Sequence, residues 1–125
     1  MTQRILVVDD SPLTLEVVKA GLEDAGFEVA CAVDLAQLEA ERQHGRFDLI
    51  LMDVQMPEAF GDDVAMVLRS VRGEQTPIFL LSTRSEAELA ERARDAGIEG
   101  YISKQAGIPK LVEKVRAILS RGGNG

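Results

Sequence analysis

Two hydrophobic patterns alternate along the chain. Short runs of apolar or β-branched residues, each the length of one buried strand, occur at 4–8, 27–31, 48–52, 77–81 and 98–102. After each run, a longer stretch places apolar residues three or four positions apart, which is typical of an amphipathic helix. The pattern therefore predicts five strands that alternate with five helices.

Capping residues mark where several of these helices begin and end. Pro12 stands at the favoured first position of the first helix, and Gly26 lies just beyond its end. Asp34 is expected to cap the second helix, and Ser85 is expected to cap the fourth through a capping box with Glu88. These signals favour short helices separated by tight loops.

The apolar stripes of the later helices differ in strength. The fourth helix offers mostly alanine, so we expect it to be weakly anchored, whereas the last helix, at about 107–120, has a strong stripe. The third helix is expected to end at Gly73 and to use four apolar residues: Val64, Val67, Leu68 and Val71.

Strands that alternate with helices form consecutive βαβ units, whose right-handed crossovers build a parallel sheet covered on both faces. We therefore predict a doubly wound α/β fold. In such sheets, ligands bind beyond the carboxyl ends of the strands, near the point where the strand order reverses. Candidate chemistry is expected at that edge.

Composition and charge exclude several classes of function. The chain has 125 residues, of which 21 are acidic and 14 basic, giving a net charge of −7. The size fits one domain, and the negative charge disfavours direct binding of nucleic acid. The apolar runs are too short for membrane insertion, and the chain begins without the apolar segment of a signal peptide. Together with a single cysteine, Cys31, this predicts a cytoplasmic protein.

Five polar side chains follow the predicted strands at the carboxyl edge: Asp9, Asp10, Asp53, Ser82 and Lys104. Three carboxylates brought together repel one another, and a hard divalent cation such as Mg²⁺ relieves the repulsion. Lys104 and Ser82 suit a phosphoryl group, and an aspartate beside Mg²⁺ can act as the nucleophile that forms an acyl phosphate. The sequence thus predicts phosphoryl transfer to Asp53.

The order and spacing of three segments resemble the receiver domain of two-component response regulators, including the chemotaxis-type single-domain regulators: residues 5–10, 48–57 with Gly61, and 96–104. The resemblance implies a flavodoxin-like five-stranded sheet with strand order 2-1-3-4-5, in a receiver domain over residues 1–121. Residues 122–125 are expected to be a flexible tail or linker stub. Whether the chain is a stand-alone messenger or part of a longer regulator stays open.

The resemblance also implies a metal site and a phosphodonor. It implies that Asp53 accepts a phosphoryl group from the phosphohistidine of a histidine kinase or a phosphotransfer protein. It further implies that Asp9, Asp10, Asp53 and the backbone carbonyl of Gln55 hold Mg²⁺. The only enzymology implied is self-catalysed phosphorylation and dephosphorylation.

A switching mechanism is implied in the same way. In the family, a hydroxyl at the place of Ser82 turns to bond the phosphoryl group, an aromatic residue at the place of Tyr101 moves inward, and Lys104 pairs with the phosphoryl group. The adjacent Thr83 is a less favoured candidate for the hydroxyl. The face built by the fourth helix, fifth strand and fifth helix then meets a downstream effector protein or domain.

Three positions affect the expected chemistry. Gln105 follows Lys104 where the family has a cis proline, and since a cis bond to any other residue costs about 2.5 to 4 kcal/mol, we predict a trans bond and a shifted loop path. Gln55 and Arg84 occupy two positions whose side chains, in the family, flank the path of the hydrolytic water. We hypothesise that Arg84, two residues after Ser82, clamps the phosphoryl group and slows its loss.

Three other classes of function compete with a phosphorylated switch. The first is a pseudo-receiver that acts as a constitutive binding module, and it is favoured by Gln105 in place of the family's proline. A degenerate site, however, would have no reason to keep all five polar residues. A hydrolase with Asp53 as nucleophile would lack the second acid two residues later. A flavin or dinucleotide carrier is disfavoured because no glycine-rich motif follows the first strand.

Overall fold

In the computed structural model, which describes residues 2–122, continuous apolar runs form a parallel sheet of five strands. Every pair of neighbouring strands is parallel. The sheet order is β2-β1-β3-β4-β5, so the predicted doubly wound fold and the strand order are confirmed. The strands are β1 (Arg4–Val8), β2 (Glu28–Ala32), β3 (Leu49–Asp53), β4 (Ile78–Ser82) and β5 (Gly100–Ser103).

Five helices connect and follow the strands, as predicted: α1 (Pro12–Asp24), α2 (Leu35–His44), α3 (Gly61–Ser70), α4 (Glu86–Ala96) and α5 (Ile108–Gly122). A 3₁₀ turn over Lys104–Ala106 separates β5 from α5. Of the tail expected at 122–125, Gly122 is the last residue of α5, and 123–125 lie outside the described residues. Among residues 2–122, no helix has both the length and the apolar character needed to cross a membrane.

The predicted caps of α2 and α4 are present. The Asp34 carboxylate accepts a hydrogen bond from the Gln37 N–H at 2.9 Å, and Ser85 Oγ accepts from the Glu88 N–H at 3.2 Å. The capping box at α4 is only half formed, because the Glu88 carboxylate pairs with Arg92 at 2.9 Å instead of returning to the Ser85 N–H. Local sequence signals therefore fix where these helices start.

The expected apolar stripe of α3 is partly wrong. Leu68 is buried, but Val67 is 44% exposed and Val71, just past the helix end, is 73% exposed. The face turned to the core is formed by Leu68 with Gly61 and Ala65. The apolar pattern does not identify Gly61 and Ala65 as core positions, although their small size allows the helix to approach the sheet closely.

Gly61 brings the start of α3 against the end of β3. A Cβ atom at this position would overlap with the backbone carbonyl of Asp53. The Gly61 N–H donates to the Val54 carbonyl at 2.7 Å, which holds the approach in place. A larger residue in place of Gly61 would therefore force the backbone at Asp53 or the start of α3 to shift.

Both faces of the sheet are buried in apolar clusters. Leu6 and Ile50 lie in the cluster that also contains residues of α2, α3 and α4, and Ile5 and Leu51 lie in the one that contains residues of α1 and α5. Successive residues of a strand point to opposite faces, so each apolar run fills both layers. Apolar side chains therefore cover both faces of the sheet, and its buried polar residues collect at the carboxyl edge.

Candidate functional site

Polar side chains are buried at the carboxyl edge of the sheet. Among the described residues, the buried polar side chains are Asp9, Asp53, Ser82 and Ser103, and all of them lie at or directly after the end of a strand. Asp9 is 1% exposed and Asp53 is 8% exposed. Burying carboxylates costs free energy unless a cation or hydrogen bonds compensate, so this edge is the candidate functional site.

Three carboxylates meet there as the sequence predicts. Asp9, Asp10 and Asp53 each place one oxygen atom within 4.8 Å of the others, and Asp10 is exposed. A group of oxygen ligands that is open to solvent on one side fits Mg²⁺, which keeps several of its waters. Gln55 lies in the loop after Asp53, where a bridge pairs it with Phe60, and its side chain is exposed.

Lys104 provides positive charge to this cluster. Its Nζ donates to Asp9 Oδ2 at 2.6 Å and lies 3.7 Å from Asp53 Oδ1. The other oxygen of Asp9, Oδ1, accepts a hydrogen bond from the Ser11 N–H at 2.9 Å. Both oxygens of Asp9 are thus engaged, and Lys104 lies between the two buried carboxylates.

The bond after Lys104 has the geometry expected for a non-proline residue. No cis peptide bond occurs among the described residues, so the predicted trans bond between Lys104 and Gln105 is confirmed. The chain continues in the 3₁₀ turn, and Ser103 Oγ caps this turn by accepting from the Gln105 N–H at 3.2 Å. Lys104 therefore reaches the carboxylates although the peptide bond that follows it is trans.

The ionisation of Asp53 is made unfavourable by its surroundings. Burial raises the pKa of Asp53 from 3.8 to about 6, while the Lys104 ammonium opposes this rise and the Asp9 carboxylate adds to it. Ionised Asp53 therefore destabilises the fold in the absence of a further cation. A carboxylate of this kind gains from positive charge brought to the site.

This raised pKa predicts how stability varies with pH. Between pH 3.8 and about 6, Asp53 is ionised in the unfolded chain but still protonated in the folded one, so folding stability falls as pH rises. Across this window, the free energy of unfolding of the wild type is expected to fall relative to that of Asp53→Asn, and the total change above pH 7 is about 3 kcal/mol. Urea unfolding of both proteins in chelator checks this, and a difference independent of pH would contradict it.

Ser82 is better placed than Thr83 to act at the site. Ser82 ends β4, is 4% exposed and lies in register with Ser103 on β5, whereas Thr83 is exposed. Ser82 Oγ accepts a hydrogen bond from the Arg84 N–H at 3.2 Å. Tyr101 lies on β5, half-buried against the core cluster that contains residues of α4.

The structure places the side chain of Arg84 against α4. Its Nη1 is 2.7 Å from Glu88 Oε2, and Arg92 binds the same carboxylate oxygen at 2.9 Å. Arg92 also contacts both carboxylate oxygens of Asp62 on α3 at 3.1 Å. This network is not among the contacts predicted from the sequence, although the spacing of four residues between Arg84 and Glu88 is a recognised signal for an ion pair.

Comparisons with known proteins identify the family to which the sequence is similar. A family model described as the response regulator receiver domain matches residues 5–116. Over 121 residues, the chain is 36% identical to the transcriptional regulatory protein PrrA of Mycobacterium tuberculosis. It is 31% identical to the polar-differentiation response regulator DivK of Brucella abortus, and the match covers 95% of this chain and 98% of DivK.

Solved structures give the same result. The chemotaxis response regulator CheY4 of Vibrio cholerae superposes with a TM-score of 0.83 at 30% identity, with 94% of this chain and 99% of that chain covered. The curated relatives differ in length. The match to PrrA covers 97% of this chain but only 52% of PrrA. It therefore corresponds to about half of PrrA and to nearly all of DivK.

Proposed function

The chain belongs to the response regulator receiver domain family of two-component systems, and on that premise we propose that it is a phosphorylatable switch. In this proposal, Asp53 accepts a phosphoryl group from a histidine kinase or a phosphotransfer protein. The observation that carries the proposal is the cluster of three carboxylates with one lysine, two of the carboxylates being buried. A purely structural edge would have no reason to gather more negative charge there than its single lysine neutralises.

The proposed reaction is a single phosphoryl transfer. A carboxylate oxygen of Asp53 attacks the phosphorus of a phosphohistidine, and the bond between phosphorus and the imidazole nitrogen breaks. The electron pair stays on that nitrogen, and Asp53 becomes an acyl phosphate. Lys104, at 3.7 Å from Asp53 Oδ1, is close enough to pair with the new phosphoryl oxygens.

The carboxylates also fit a metal ion. Asp9, Asp10, Asp53 and the backbone carbonyl of Gln55 are the residues that we assign to Mg²⁺. When bound, Mg²⁺ supplies positive charge that neutralises the phosphoryl oxygens during transfer. Because Asp9 accepts a hydrogen bond from Lys104 at 2.6 Å, the ion and the ammonium group would share this carboxylate.

The proposed output is a change in the face formed by α4, β5 and α5. The Ser82 hydroxyl would turn toward the phosphoryl group, and Tyr101 would move inward in step. On α4 the buried residues are Leu89, Ala93 and Ala96, and small side chains make few apolar contacts that a shift would disrupt. A downstream effector protein or domain would read the change on this face.

The lifetime of the phosphorylated form is proposed to depend on Arg84. If its guanidinium leaves Glu88 for the phosphoryl group, it shields the acyl phosphate from water. Arg84→Ala is then expected to dephosphorylate about fivefold faster than wild type, the factor that corresponds to one ordinary hydrogen bond. The decay is measured by intact mass after removal of the donor, with the exposed Arg94→Ala as control, and equal decay of wild type and Arg84→Ala would contradict the role.

The function itself is tested with a small phosphodonor. Wild-type protein is incubated with acetyl phosphate and Mg²⁺, or with acetyl phosphate and chelator, and its intact mass is measured. A gain of one phosphoryl group that requires Mg²⁺ is expected. No gain with any donor, from acetyl phosphate to a phosphorylated kinase, would contradict the proposal and favour a pseudo-receiver that acts as a binding module.

A further inference from the structure

The Gln105 side chain connects the two loops that carry Ser82 and Lys104. Its Nε2 donates to the Thr83 carbonyl in the loop after β4 at 2.7 Å. Gln105 itself is the second residue of the 3₁₀ turn that begins with Lys104. The loop after β4 is thereby tied to the turn after β5 on the surface above the carboxylates.

The bond from Gln105 lands on the peptide group that also bonds Ser82. The Thr83 carbonyl and the Arg84 N–H belong to one peptide unit, which is rigid and planar. Its oxygen accepts from Gln105 at 2.7 Å, and its N–H donates to Ser82 Oγ at 3.2 Å. The direction of Ser82 Oγ is therefore coupled to the position of the Gln105 side chain.

In this arrangement Ser82 Oγ is directed to the loop backbone. Among the described residues, Ser82 makes no hydrogen bond to Asp53, and its observed partner is the Arg84 N–H. In the proposed function, the Ser82 hydroxyl turns toward a phosphoryl group on Asp53. A turn that carries Oγ away from the Arg84 N–H requires the Thr83–Arg84 peptide to follow or to lose its partner. The bond from Gln105 opposes that movement.

We propose that Gln105 is a positioning residue that acts through the Thr83–Arg84 peptide to hold Ser82 in its resting orientation. This inference rests on the proposed function of Asp53. Gln105 is exposed and the bond lies at the surface, so it contributes little to overall stability. Its main effect is on the equilibrium between the resting conformation and the one that binds a phosphoryl group.

Gln105→Met tests the inference, because methionine keeps the length of the side chain and removes the donor. The probe is beryllofluoride with Mg²⁺, a non-covalent analogue of the phosphoryl group, titrated by the change in amide resonances. A ligand binds more tightly when its binding conformation is already more populated. We expect Gln105→Met to bind beryllofluoride about two- to threefold more tightly than wild type, the factor given by a weak surface hydrogen bond.

Two further variants keep the result interpretable. Gln105→Ala removes the same donor and is expected to shift affinity in the same direction. Gln43→Met makes the matched change at an exposed glutamine near the C-terminal end of α2, the end of the helix away from the carboxyl edge of the sheet. This variant is expected to bind beryllofluoride as wild type does. In the unliganded Gln105→Met protein, the Arg84 amide resonance is expected to move toward its beryllofluoride-bound position.

The outcomes separate this inference from the proposed function. Wild type that binds beryllofluoride, with equal or weaker affinity in both Gln105 variants, would overturn the role of Gln105 alone. Wild type that does not bind beryllofluoride with Mg²⁺ would overturn the proposed function together with this inference. A purely structural role would lower the melting temperature of the variants without raising their affinity, which would also overturn the inference.

Discussion

Asp53→Asn is expected to abolish the Mg²⁺-dependent gain of a phosphoryl group completely. Asparagine keeps the size and shape of the side chain, but its amide oxygen carries no full negative charge and cannot form an acyl phosphate. Asp9 is not expected to replace it, because both of its oxygens accept hydrogen bonds, from Lys104 and from the Ser11 N–H. Intact mass after incubation with acetyl phosphate and Mg²⁺ measures the effect.

A matched substitution on the surface controls for a general loss of charge. Asp63→Asn, on the exposed side of α3, is expected to gain a phosphoryl group as wild type does. Undiminished phosphorylation of Asp53→Asn would show that another residue is the acceptor. Loss in both variants would mean that the assay reports on charge rather than on the nucleophile.

Lys104→Met is expected to lower the free energy of unfolding in chelator by about 3 to 5 kcal/mol, the usual cost of leaving one member of a buried ion pair unpaired. The Asp9 side chain is 2% exposed, and Lys104 Nζ is its partner at 2.6 Å. Since the lysine also lowers the pKa of Asp53, its removal is expected to raise that pKa further. Urea unfolding and a pH titration measure the two effects.

Mg²⁺ is expected to restore much of this loss. Without Lys104, the ion no longer competes with an ammonium group for Asp9, so added Mg²⁺ should stabilise Lys104→Met more than wild type. Lys110→Met, at a lysine that is 62% exposed, is expected to change stability little. Equal stability of Lys104→Met and wild type in chelator would contradict the assigned charge balance.

Most of the fold could be predicted because its signals are local. The run at 4–8 is continuous and apolar, as buried parallel strands require, and it forms β1 with those bounds. The face of α3 could not be predicted, because Gly61 and Ala65 pack against the sheet through their small size. A search for apolar periodicity does not identify core positions that are occupied by glycine or alanine because the helix must lie close to the sheet.

The candidate site divides in the same way. The approach of Asp9, Asp53 and Lys104 follows from strand order, since the carboxyl ends of parallel strands share one edge. The contacts of Arg84 with Glu88 and of Gln105 with Thr83 depend on loop geometry and side-chain rotamers. The spacing of four residues makes an ion pair between Arg84 and Glu88 possible, but it does not show that Arg84 would form this pair rather than a contact with Asp53.

The central claim, that Asp53 is the phosphoacceptor, is tested most directly by chemical trapping. Protein phosphorylated with acetyl phosphate and Mg²⁺ is treated with borohydride, which reduces an acyl phosphate to the alcohol and converts the modified aspartate to homoserine. Tandem mass spectrometry of the peptides then locates the change. We predict homoserine at position 53 and at no other aspartate. Homoserine at Asp9 or Asp10, or a phosphoryl group that resists reduction, would contradict the claim.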